Sequence, residues 1–271
     1  MRPVGVVGNL SRDRLDGSRP RVGGGPFYCG RALRALGRRG VIVTKSAEAD
    51  RRDLLTPLVC LGLPVLWHAA SSTAEFSMSY EGDERSMSMD RLGEPWTPDE
   101  VAGWVAKALA GVEWVHVASL SRSDFPAETL AVLGRGRRLS FDGQGLVRPP
   151  HTGPLQLDGE YDPEVLRRIS LLKLAEDEAE VVLEDLGEDS LRGLGVAEVV
   201  VTLGSRGSLV FSSGRLERIP ARALPGDVDP TGAGDTFIAA YVSARTAGQA
   251  PASAAHRANA LVADLLSGRM R

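Results

Sequence analysis

The chain has 271 residues, 43% of them hydrophobic, and its 32 basic and 35 acidic residues leave a net charge of -3 with no long run of either sign. That composition suits one large domain with a substantial core, excludes a nucleic-acid-binding stripe and points to small-molecule partners. Cys29 and Cys60 have no metal-ligand neighbours, which argues against a disulfide framework and a zinc site, and no stretch approaches the roughly 20 apolar residues of a membrane span.

Met1-Arg2-Pro3-Val4 enters a short apolar strand without the features of a signal peptide, so a cytoplasmic location is expected. Beyond it, β-branched runs alternate with Ala/Leu-rich segments. Strands are expected at 4–8, 41–44, 65–68, 114–118, 139–142, 171–174 and 198–202, with a further strand pair around 208–219. Helices are expected at 27–36, 52–61, 98–109, 127–133, 163–169, 177–186 and 236–248. This order predicts an α/β domain over residues 1–271, with a mostly parallel central sheet and helices on both faces.

Residues 73–90 break the rhythm. Phe76, Met78 and Tyr80 alternate with polar residues, a turn follows at Glu81-Gly82-Asp83-Glu84, and Met87 and Met89 resume the alternation. That reads as a β-hairpin outside the main sheet, a lid inserted in the domain together with residues near 10–20. Its apolar face must cover either a substrate cleft or the same hairpin of a second copy, as in a homodimer.

The chemistry concentrates in Asp229-Pro230-Thr231-Gly232-Ala233-Gly234-Asp235-Thr236-Phe237. Small residues at Gly232, Ala233 and Gly234, placed at the start of a helix, let backbone N–H groups converge on an anion where the helix dipole favours one. Asp235 follows directly, where a carboxylate can take the proton of a substrate hydroxyl. An ordinary glycine-rich helix start, with Asp235 only satisfying the dipole, is the competing reading.

This nine-residue segment resembles the C-terminal signature of the ribokinase-like (PfkB) carbohydrate kinases, and the resemblance extends along the chain. It implies a ribokinase-like three-layer α/β/α fold, ATP as phosphoryl donor, Mg2+ as cofactor, Asp235 as catalytic base and Gly232 to Gly234 as anion hole. Val199-Val200-Val201-Thr202-Leu203-Gly204-Ser205-Arg206-Gly207 is similar to the family's element bordering the nucleotide, which makes Thr202, Gly204 and Gly207 candidate ATP contacts, with Asn259 beside the adenine. Val22-Gly23-Gly24-Gly25 is similar to the N-terminal signature and implies substrate contacts at Gly23 and Gly24, with Asp13 accepting substrate hydroxyls. Lys173-Leu174-Ala175-Glu176-Asp177-Glu178 resembles the magnesium-organising element, so Glu178 is the candidate metal residue, while Ala175 stands where the family has Asn. Asp229 is assigned to a monovalent-cation site, which leaves K+ dependence open.

Tyr28 stands where the family's sugar-binding Asn is usual, which narrows the pocket and argues against ribose. The plant inositol kinases of the family share a comparable aromatic replacement and a segment similar to Phe141-Asp142-Gly143-Gln144-Gly145-Leu146-Val147-Arg148. A sugar or polyol, with a cyclitol such as inositol preferred, is therefore the expected acceptor, and a nucleoside is the alternative. No Gly-Lys pair exists for a P-loop, Gly8-Asn9-Leu10-Ser11-Arg12-Asp13 lacks the dinucleotide fingerprint, and no serine sits in a nucleophile elbow. A non-catalytic sugar or nucleotide sensor on the same fold is the rival of another class.

Overall fold

The computed structural model describes residues 2–81, 84–222 and 230–268, with the side chains of residues 80–85 outside the described set. The strands are β1 (Val4–Asn9), β2 (Ser11–Leu15), β3 (Arg21–Gly23), β4 (Gly40–Ala47), β5 (Val65–Ala70), β6 (Ala74–Glu81), β7 (Glu84–Arg91), β8 (Trp114–Ala118), β9 (Arg138–Asp142), β10 (Gly153–Pro154), β11 (Leu171–Ala175), β12 (Glu198–Thr202), β13 (Ser208–Ser212) and β14 (Arg215–Ile219). The helices are α1 (Gly25–Ala35), α2 (Arg51–Val59), α3 (Pro98–Glu100), α4 (Ala106–Ala108), α5 (Ala127–Leu133), α6 (Gln144–Val147), α7 (Pro163–Leu166), α8 (Glu176–Val182), α9 (Glu188–Gly193), α10 (Ala233–Thr246) and α11 (Pro251–Leu266).

The main sheet has nine strands in the order β14-β13-β12-β11-β9-β8-β1-β4-β5. The run from β12 to β5 is parallel, and β13 and β14 continue it antiparallel. Both faces are covered, so the central strands are mainly apolar, and β1 is buried at every position. Strand alternation then sorts side chains into two cores. Val4 and Val6 of β1 pack with α1, α10 and α11, whereas Val7, with Val115 and Val117 of β8, joins the core on the opposite face. The same parity puts His116 of β8, Asp142 of β9 and Lys173 of β11 in the α10 layer, between apolar neighbours assigned to the two cores.

The hairpin expected at 73–90 is present as β6 and β7, but it belongs to a five-stranded sheet in the order β10-β7-β6-β2-β3. β2 pairs parallel with β6 and antiparallel with β3. Phe76, Met78 and Met89 are buried within the chain, while Ser77, Ser79, Ser86 and Ser88 alternate onto the other face, where Ser79 and Ser86 share a 2.7 Å hydrogen bond. The side chain of Tyr80 and the turn residues Gly82 and Asp83 lie outside the described residues.

Several expected helices are shorter. The stretch 98–108 is divided by Gly103 at φ −87° and ψ −105°. The segment from 163 is one turn ending at Leu166, and the one from 176 stops at Val182, before Leu183 turns to an extended conformation. Among the described residues no helix is long and apolar enough to cross a membrane.

Candidate active site

A cleft of about 590 Å³ opens at the carboxyl ends of the parallel strands, roofed by Phe76, Met78 and Met87 of the second sheet, where open α/β sheets place their ligands. Gly232, Gly234 and Asp235, at the start of α10, line it. Gly232 caps the helix in the left-handed region at φ 75°, which a side chain rarely adopts, and a Cβ there would come within 2.3 Å of the Tyr28 ring. Ala233 faces an adjoining hollow instead. The carboxylate of Asp235 is partly open to the cleft. Burial of its remaining sides, and after it the charge of Asp142, push its carboxyl up to about 7, against the pull of Lys173 and Arg148.

Uncharged groups stand next to Asp235. The Cys29 thiol lies 3.4 Å from its backbone carbonyl and is pushed well above its ordinary range by burial. His116, fully buried, is held down to about 4 by desolvation; its Nδ1 meets Ser140 Oγ at 3.2 Å. Cys29, His116 and Asp235 offer ligand atoms within 4.8 Å of one another, but two of the three are core residues in neutral form, and their clear effect is to deny Asp235 solvent.

At one end of the cleft Asp13 is buried, with Ser11 Oγ donating to its Oδ1 at 2.7 Å. Gly23 packs behind it rather than lining the cleft: a Cβ at Gly23 would sit 2.0 Å from Asp13 Oδ2. Gly24, at φ 88°, lines the cleft with Gly25, whose missing side chain admits Asp235 Oδ1 to 2.9 Å of its Cβ position. Tyr28 lines the same end, its hydroxyl pKa pushed up to about 12 by burial and by Asp13.

At the other end Thr202, Gly204 and Glu178 line the cleft. Glu178 accepts a 2.7 Å hydrogen bond from Ala175 N at the start of α8 and stands 3.8 Å from Lys173 Nζ. Its carboxyl is raised, burial outweighing the lysine. Thr202 and Gly204 continue into an adjoining hollow of about 290 Å³ that also takes in Gly207, Phe237, Asn259 and Val262. Gly207 must lack a side chain, since a Cβ would approach Ile219 O to 2.1 Å. The amide of Asn259 donates to Ser208 Oγ, Ile219 O and Pro220 O at 3.2 to 3.3 Å, so it clamps α11 to the β13–β14 edge as well as bordering the hollow. Asp229 lies outside the described residues.

Lys173, Ser11 and Gly25 also line the cleft and carry no assignment from the sequence. The signal for Lys173 was available: it is the single charge in Leu171-Leu172-Lys173-Leu174, and a charge in a strand covered on both faces needs a partner.

A glycine-shaped helix start, a carboxylate raised toward neutrality beside it and a buried acid across a roofed cleft are an arrangement suited to a small-molecule phosphotransferase of the ribokinase fold. The model of the pfkB family carbohydrate kinases matches residues 72–265, and the chain belongs to that family. It is 25% identical over 260 residues to the cytidine kinase of Thermococcus kodakarensis, covering 90% of this chain and 88% of that one. It is also 25% identical over 201 residues to the 2-dehydro-3-deoxygluconokinase of Dickeya dadantii, covering 66% of this chain and 62% of the relative. A pyrophosphate-dependent kinase of the ribokinase family, solved with a pyrophosphate analogue and myo-inositol, superposes with a TM-score of 0.79 at 25% identity, covering 97% and 94% of the two chains.

Proposed function

We propose that the chain transfers a phosphoryl group from ATP to a hydroxyl of a small sugar or polyol, with a cyclitol such as inositol the preferred acceptor. The observation that carries this reading is Asp235: a carboxyl pushed up to about 7, open to the cleft at the start of α10 and next to the Gly232 and Gly234 backbone. A base near neutrality is matched to taking a proton from an alcohol at physiological pH. Asp13, Gly24 and Tyr28 hold the acceptor, and Phe76, Met78 and Met87 close over it as a lid that excludes water. The acceptor oxygen forms a bond to the donor's terminal phosphorus as the bridging P–O bond breaks; the hydroxyl proton passes to Asp235, and the negative charge leaves on the donor.

The donor lies along Thr202 and Gly204, its base in the hollow bounded by Phe237 and Val262, whose apolar walls suit a purine. One oxygen of Glu178 is committed to the Ala175 amide; Glu178 would hold a magnesium ion through the ion's water, in keeping with that ion's reluctance to shed its hydration. Magnesium there would neutralise charge on the donor phosphates.

A second donor is favoured by one comparison. The inositol-bound neighbour depends on pyrophosphate, and the cationic Lys173 and Arg148 would serve a nucleotide-free donor equally well. A coupled screen of polyols, sugars and nucleosides against ATP and pyrophosphate, with and without potassium, separates these readings. Asp235→Asn should abolish turnover while keeping donor binding, and an active Asn variant would refute the assignment.

A further inference from the structure

The mechanism above gives Lys173 no part in the transfer step itself, yet its position is unusual for a buried charge. Strand alternation sends Leu172 and Leu174 into the opposite core and puts Lys173 in the α10 layer, in register with Asp142 of β9. Its side chain is only 4% exposed, but it lines the cleft. Asp142 Oδ1 and Glu178 Oε2 stand at 3.7 and 3.8 Å from Nζ, and among the described residues none accepts a hydrogen bond from it. Two carboxylates at that range favour the charged ammonium. The ammonium is therefore charged with its three donors uncommitted, a costly state for a buried group. It also stands beside the start of α10, where a Cβ at Gly234 would lie 3.1 Å from Nζ.

Resting on the kinase reading, we infer that Lys173 is the fixed positive charge of the phosphoryl-transfer site, donating to an oxygen of the phosphoryl group held at Gly232 to Gly234. Charge spreads over those oxygens as the group transfers, and a preorganised ammonium in a dry site stabilises it without having to reorient. The paired carboxylates are what make this possible: close enough to hold the charge, too far to use up its donors. Lys173 also supplies a charged group two residues before Ala175, where the family pattern has lost a polar one. The same charge acts on Asp235, which is faced by Asp13 from β2, Tyr28 and Cys29 from α1, His116 from β8, Asp142 from β9, and Arg148.

The test compares Lys173→Met, Lys173→Arg and wild type as full chains. Calorimetric binding of ATP and of pyrophosphate should weaken at least tenfold in Lys173→Met and recover in part in Lys173→Arg. With the acceptor found by the screen, kcat should fall at least a hundredfold while acceptor KM stays within threefold, and the acid limb of the pH profile should move to higher pH. Donor binding and kcat within threefold of wild type would overturn the inference. If Lys173→Met does not fold, the charge-balanced Lys173→Met/Asp142→Asn variant carries the same expectation. A wild type that binds pyrophosphate through Lys173 but phosphorylates nothing refutes the kinase reading alone; one that phosphorylates without needing Lys173 refutes this inference alone; one that binds neither donor refutes both.

Discussion

Lys45 and Lys173 are both buried ammonium groups, and their surroundings differ in one decisive respect. Lys45 Nζ donates to Glu100 Oε1 at 2.9 Å, Pro95 O at 3.0 Å and Glu94 Oε1 at 3.2 Å, and it sits 4.7 Å from the centre of the Trp96 ring. Every donor is used, and the group ties β4 to the segment 94–100. Lys173 has two carboxylates for company and no hydrogen bond at normal length to a described residue. Burial of a charge is thus no guide to its purpose. Donors left uncommitted beside a cavity are.

Removing Lys45 should break the comparison most visibly. Lys45→Met leaves Glu94 and Glu100 without their cation, and we expect a loss of roughly 3 kcal/mol in urea denaturation, the low end for a broken buried pair because both carboxylates keep some solvent contact. Equal losses of stability in the Lys45 and Lys173 variants would erase the distinction between them.

The next effect concerns pH. With Asp235 pushed up to about 7, kcat/KM should fall about tenfold per pH unit below that, about a hundredfold by pH 5. The same group acts on stability with the opposite sign. Its folded-state value lies above the 3.8 of an unfolded chain, so its contribution to folding is complete below 3.8 and is lost as pH rises through about 7. The melting temperature of wild type, relative to Asp235→Asn, should accordingly drop across the window in which activity appears. A flat pH profile between 5 and 8 would remove Asp235 from the base role.

The smallest effect sharpens the geometry around Lys173. A methyl at residue 234 must displace the ammonium 3.1 Å away, and Gly234→Ala should lower kcat about tenfold, about 1.4 kcal/mol of barrier, with acceptor KM nearly unchanged. No change in kcat would mean that the lysine and the loop do not constrain each other.

Much of this could be read from the residues. The parallel strands declared themselves as continuous apolar runs, because burial on both faces leaves no room for alternation. The glycine-rich start of α10 was legible because its small residues stand directly before an Ala-rich helical run. The short strands β2, β3 and β10 were not, since Ser11-Arg12-Asp13-Arg14-Leu15 has no strong local strand preference and becomes a strand by pairing with β6, 63 residues away between Ser11 and Ala74. That a Cβ at Gly23 would collide with Asp13 was not legible either, since the two residues meet through the β2–β3 pairing. Lys173 was passed over because its segment was matched for an Asn and a Glu, whereas its meaning comes from facing Asp142 on a neighbouring strand.

The contact between Tyr28 and Gly232 has a consequence for anyone seeking to retarget this enzyme. The residue expected to choose the acceptor is also the surface on which the start of α10 rests, its ring filling the space a Cβ at Gly232 would need. Acceptor choice and transfer geometry are thus mechanically linked through one aromatic plane. A library varied at residue 28 alone would sample new pockets over a slackened loop, and productive changes of specificity should be sought by varying 28 and the 230–234 segment together.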